Sequence, residues 1–112
     1  IWQLLEHIRI AQWDIVEFSS SATHQSPKWP DEYWPKKTEE ISDQVWDKTL
    51  EQIQQDRERF IQLLHERKDE LFNPFDYGDG QTLVREALLI MDHTSYHVGE
   101  ILVLRRLFKD WK

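Results

Sequence analysis

The chain has 112 residues, 39% of them apolar, with 14 Lys and Arg against 21 Asp and Glu and a formal charge of −7. A chain of this length supports one domain, and the acidic balance, with no basic run, excludes nucleic acid as a partner. The absence of cysteine removes disulfides, thiolate metal ligands and a cysteine nucleophile and fits a reducing, cytoplasmic setting, while no apolar run approaches the ~20 residues of a membrane span.

Six Trp, five Phe and three Tyr give a small core large pieces to pack, and only three Gly and four Pro punctuate the chain. Long helices are therefore expected. The chain opens at Ile1, without an initiator Met and already inside an apolar-periodic segment, which reads as a chain lacking its natural N-terminus.

The first helix is predicted over residues 1–18. Leu4, Ala11, Ile15 and Phe18 recur at helical spacing, and His7 falls in the same stripe. Ser19, Ser20 and Ser21 end it. Residues 22–37 contain Pro27, Pro30 and Pro35 together with Trp29, Tyr33 and Trp34. That stretch is too rich in proline for a helix and too aromatic for a solvated linker. A loop laying its aromatics over the domain, as a lid over a pocket, is expected.

The second helix is predicted over residues 42–68, with Ser42 as its N-cap and Asp43 favoured by the helix dipole. Its expected inward stripe is Trp46, Leu50, Ile53, Arg57, Phe60 and Leu64. Arg57 either snorkels to the surface or lines a polar cavity. Pro74, Gly78 and Gly80 mark residues 69–81 as a loop. The third helix follows over residues 82–108, burying Leu83, Ala87, Ile90, Ile101, Leu104 and Phe108. Three such helices leave apolar faces uncovered, so the pattern predicts an all-α antiparallel bundle completed by a fourth helix or a partner subunit.

His93 and His97 interrupt the buried side of the third helix. A spacing of four puts both imidazoles on one face, one turn apart, close enough to grip one metal ion. Chance supplies such a spacing easily, and two satisfied core histidines would look the same. Their apolar surroundings favour the metal, because two buried imidazoles need partners for their ring nitrogens and one ion satisfies both. His7, on the apolar stripe of another helix, is the natural third ligand. His24, in the Pro-rich loop, and His65, beside Glu66 and Arg67, are assigned to solvent.

Three neutral imidazoles leave a divalent ion with an open position, where water or a thiol is activated. Glu100, one turn past His97, holds a ring N–H, accepts a proton, or faces solvent. Asp92 and Asp14 are weaker supporting candidates, and Tyr96 packs rather than reacts. Other chemistries have no support: the serines lack a glycine elbow, Gly78-Asp79-Gly80 lacks the spacing and lysine of a phosphate loop, and no Glu-x-x-His pair suits a di-iron site.

The stretch Asp92-His93-Thr94-Ser95-Tyr96-His97-Val98-Gly99-Glu100-Ile101, followed by Leu104-Arg105-Arg106-Leu107 and Trp111, resembles the C-terminal motif of the DinB-like (damage-inducible, DinB/YfiT-like) metalloenzyme superfamily. Trp2-Gln3-Leu4-Leu5-Glu6-His7-Ile8 resembles the family's second helix, and Gly80-Gln81-Thr82-Leu83-Val84-Arg85-Glu86 the lead-in to its last. The resemblance implies a four-helix bundle of up-down-down-up topology, often a homodimer, whose first helix would precede Ile1. It also implies a divalent ion, commonly zinc or nickel, on His7, His93 and His97. Among relatives are transferases and isomerases that use low-molecular-weight thiols on small-molecule substrates. The family's usual Gln after Gly is here Glu100, which adds negative charge near the metal. The expected function is a metal-dependent transferase or hydrolase; the competing expectation is a non-catalytic stress-response or interaction module with a structural metal or none.

Overall fold

A computed structural model describes residues 1–37 and 40–110, so Trp111 lies outside the described residues. It contains three α-helices, and no strand among those residues: α1 Trp2–Ser20, α2 Asp43–Glu66 and α3 Leu83–Leu107. Each lies within two residues of its predicted span. Side-chain caps explain two of the starts, the predicted one at Ser42 and a second at Thr82. The Val45 N–H donates to Ser42 Oγ at 3.2 Å, and the Arg85 N–H donates to Thr82 Oγ1 at 3.2 Å, each satisfying a donor that the first helical turn leaves without a partner.

α1 is the central element, and α2 and α3 pack on its two sides. α2 runs parallel to it. Thr49 Oγ1 donates to Glu6 Oε2 at 3.0 Å, Gln12 Nε2 donates to the Ile53 carbonyl at 2.7 Å, and Arg59 pairs with Glu17 at 2.8 Å, so both chains advance together. α3 runs the other way, with Leu83 packed beside Val16 and His93 beside His7. Two parallel neighbours need a connection that returns along the helix, and the 22–37 segment runs back along α1, with His24 at Asp14 and Tyr33 at His7. The four-helix count expected from the resemblance is not seen; the described residues form three helices.

Position in the fold explains the burial of α1. It is covered by α2, α3 and the 22–37 segment, so even Gln12, Asp14 and Ser19 are buried along with Ile8, Ala11, Ile15 and Val16. A helix enclosed on most sides no longer shows a single apolar stripe.

The inward stripe of α2 differs from the predicted one. Thr49, Asp56, Phe60 and Leu63 are buried, whereas Leu50 and Arg57 are exposed. Hydrogen bonding to α1 accounts for Thr49, which reaches Glu6; Asp56 is held from its own helix, its Oδ1 accepting from Gln52 and Arg59, both at 3.1 Å, while its buried Oδ2 has no hydrogen-bond partner among the described residues. Arg57 instead borders an apolar cleft between α2 and α3 together with Phe60, Leu64, Ala87 and Ile90.

The tight core sits at one end of the molecule, where Val16, Phe60, Leu63 and Leu83 meet and Leu64, Leu71, Phe75, Ala87 and Ile90 pack around them. The 67–82 connection closes that end. Tyr77 Oη donates to the Phe18 carbonyl at 2.7 Å, the Phe18 ring meets Phe75 edge-on, and Gly80 takes φ +102°, a turn conformation that disfavours a side chain. Towards the other end α3 is less well covered. Ile101 and Leu104 are half-buried, and Phe108, predicted inside, is exposed where it follows the last residue of α3. Leu88, Met91, Val103 and Leu107 are exposed as well.

Candidate metal centre

The two helices bring His7, His93 and His97 together. Ligand atoms of the three imidazoles all lie within 4.8 Å of one another. His93 and His97 are held by their spacing on α3, with ring centroids 4.5 Å apart. His7 enters from α1, its ring 4.8 Å from that of His93 and 4.7 Å from that of His97. It is 1% exposed, the more enclosed partner of the trio.

Hydrogen bonds decide which nitrogens face the centre. His7 Nδ1 lies 2.7 Å from the main-chain carbonyl of Tyr33, which can only accept, so Nδ1 carries the proton. His97 Nδ1 lies 2.6 Å from Glu100 Oε1, and a carboxylate oxygen likewise accepts. In the neutral imidazoles both Nε2 lone pairs are therefore left bare. His93 Nε2 stands 3.0 Å from His7 Nε2. Two ring nitrogens on one zinc ion, each at about 2.1 Å in tetrahedral array, are separated by about 3.4 Å. The donor set fits a divalent cation: three imidazoles, two of them already fixed in the ligating tautomer by a partner on the far ring nitrogen.

Electrostatics favour the neutral ligand form. Burial holds His93 down at about 4, reinforced by the adjacent His97 and His7. Burial also lowers His7, against the raising effect of its Tyr33 hydrogen bond. Both rings are thus uncharged at neutral pH and free of the proton that competes with a metal.

The connection between α1 and α2 forms part of the site. The Trp34 indole stacks on His7, with centroids 3.8 Å apart and planes 1° from parallel, and meets His97 edge-on at 6.1 Å. The aromatic loop expected to lie over the domain does reach the histidines. Which of its residues would touch them was not legible, since Trp29, Tyr33 and Trp34 look alike in sequence and only Trp34 stacks on the cluster. Leu4, Tyr96, Gly99, Glu100, Val103 and Leu104 line a cleft of about 380 Å³, which none of the three histidines lines. Tyr96 is largely exposed and meets His97 edge-on at 5.2 Å.

Of the remaining candidates, Glu100 lies against His97, with its side chain 46% exposed. Asp92 is exposed and acts on His93 through its charge. Asp14 does not touch a histidine of the cluster. It bonds His24 and Tyr33 instead, which corrects the reading of His24 as solvated: His24 Nε2 lies 2.8 Å from Asp14 Oδ1, and the His24 side chain is 9% exposed. The pairing escapes sequence reasoning because ten residues and a chain reversal separate the partners. His65 is exposed, as expected.

The sequence model of the DinB superfamily matches residues 1–101, a span containing all three histidines and Glu100. The chain belongs to the DinB superfamily. No curated protein and no solved structure matches it. Among the described residues, no helix is long and apolar enough to cross a membrane.

Proposed function

We propose that this DinB superfamily member is a metal-dependent enzyme that holds a divalent ion, zinc or nickel, on His7, His93 and His97. The observation that carries the reading is the arrangement of ring nitrogens, with His7 and His97 fixed in the Nδ1–H tautomer so that both Nε2 atoms are available to one ion beside His93. An ion in that place supplies Lewis acidity, which brings water or a thiol towards deprotonation at neutral pH.

The reaction we assign is transfer or hydrolysis, in which a low-molecular-weight thiol or water attacks an electrophilic small molecule. The residues divide the work. Glu100 orients His97 and is a carboxylate at the solvent edge, positioned to receive a proton. Trp34 and the burial of His7 keep one side of the cluster dry, and the cleft beside Glu100 and Gly99 offers a largely apolar wall for a substrate. Three protein ligands favour catalysis over a structural metal, because structural zinc is normally closed by four and Glu100 is turned to His97 Nδ1 instead of completing the set. We assign a cytoplasmic homodimer, with the exposed Leu88, Met91, Val103 and Leu107 of α3 as apolar surface for the second copy.

Elemental analysis of protein purified without added metal, alongside His93→Ala, tests the site. About one equivalent of zinc or nickel in the wild type and a large loss in the variant are expected. Equal trace metal in both, with unchanged stability, overturns the metal reading. Turnover with a panel of thiols and electrophiles tests the transferase reading, and no thiol-dependent turnover counts against it.

A further inference from the structure

Asp14 stands two turns beyond His7 on α1, and a spacing of seven puts the two side chains on one face. Both of its oxygens are committed to the connecting loop. Oδ1 lies 2.8 Å from His24 Nε2, and Oδ2 accepts from Tyr33 Oη at 2.6 Å. One buried carboxylate therefore ties down the loop at two points nine residues apart. Trp13 adds an edge-on contact to the His24 ring at 5.2 Å.

The second tie point coincides with the grip on His7. Tyr33, whose side chain is anchored to Asp14, offers its main-chain carbonyl to His7 Nδ1 at 2.7 Å. The next residue, Trp34, lies flat on the His7 ring. Residues 31–33 form a single 3₁₀ turn, with the Tyr33 N–H bonded to the Pro30 carbonyl at 3.2 Å and the Trp34 N–H to that of Asp31 at 3.4 Å. Side-chain anchor, carbonyl and indole thus belong to one short turn, in which the carbonyl cannot shift far while the phenol is held.

We infer that Asp14 is a positioning residue for the metal ligand His7, acting through Tyr33: by fixing the phenol it aims the Tyr33 carbonyl at Nδ1 and seats Trp34 on the ring. The inference rests on the metal-site reading for its purpose, and on the loop geometry for its mechanism. Partners that fix the far nitrogen of a ligating histidine typically change metal affinity by about 10–100-fold when removed. Asp14 lies one residue further out, so an effect at the lower end of that range is expected.

Tyr33→Phe removes the phenol bond and keeps the carbonyl and the ring, and Asp14→Ala removes both ties. The first readout is ¹⁵N NMR of the His7 side chain in the metal-free protein, which reports the tautomer directly. Wild type is expected to show a protonated Nδ1 and a bare Nε2, and both variants a mixture of tautomers. The second is Zn²⁺ titration, where about tenfold weaker binding is expected, with helical circular dichroism unchanged. An His7 that stays wholly Nδ1–H in both variants, with Zn²⁺ bound as tightly as in wild type, overturns the inference. If Asp14→Ala does not fold, Tyr33→Phe decides alone. If wild type binds no Zn²⁺, the metal reading falls, and the tautomer measurement still decides whether Asp14 sets the state of His7.

Discussion

Replacing Glu100 by Gln should weaken metal binding by about tenfold, and the structure explains both the sign and the size. Glu100 Oε1 accepts from His97 Nδ1 at 2.6 Å, a short charge-assisted bond that raises the basicity of the opposite ring nitrogen. A Gln side chain can still accept that hydrogen through its amide oxygen, so the variant isolates the charge. Its reach extends beyond His97, since the carboxylate also favours the charged form of His7. Such outer partners are worth about 10–100-fold in affinity. With its side chain 46% exposed, Glu100 is screened by water, which places the effect near the lower bound, about 1.4 kcal/mol. Competition titration of Zn²⁺ against a chromogenic chelator at pH 7.5 measures it, at low and at high salt. The difference between Glu and Gln should shrink as salt rises, and Glu100→Ala, which loses the hydrogen bond too, should bind more weakly than Glu100→Gln. Equal affinity for all three proteins would refute the reasoning, as would tighter binding by the Gln variant.

Metal-free protein should lose stability as pH falls from about 6.5 towards 4. The unfolded chain protonates its histidines near 6.5, whereas burial holds His93 at about 4 in the fold, so the unfolded state binds more protons throughout that window. The contribution is complete above 6.5 and is lost on the way down to 4. At about 1.4 kcal/mol per pKa unit, discounted because the ring is only partly buried, it amounts to about 2 kcal/mol. Urea unfolding of wild type and His93→Gln across the range checks it, and parallel pH profiles for the two would contradict it. Leu83→Ala should destabilise by about 2–5 kcal/mol, because Leu83 is 1% exposed at the junction of all three helices and its removal leaves a cavity beside Val16, Phe60 and Leu63. A loss below about 1 kcal/mol in urea unfolding would mean that the core there collapses to fill the space.

The sequence by itself determined the helices, the Ser42 cap of α2 and the pairing of two candidate metal ligands. Ser42 and Thr82 announce their helices through local hydrogen bonds that need no tertiary partner. The His93/His97 pair follows from helical periodicity alone, because a spacing of four meets on one face whatever surrounds it. Everything that depends on contacts distant in sequence waited for the fold. Thr49 took an inward position on α2 because Glu6, on α1, accepts its hydrogen bond, and Phe108 fell outside at the end of α3. His24 found Asp14, and the Tyr33 carbonyl found His7, across a loop whose path no local pattern encodes. Local periodicity placed two imidazoles side by side. Tertiary packing brought the third to them and, through the Tyr33 carbonyl at Nδ1, decided which nitrogen of His7 faces the centre, while the Glu100 bond that does the same for His97 is local to α3.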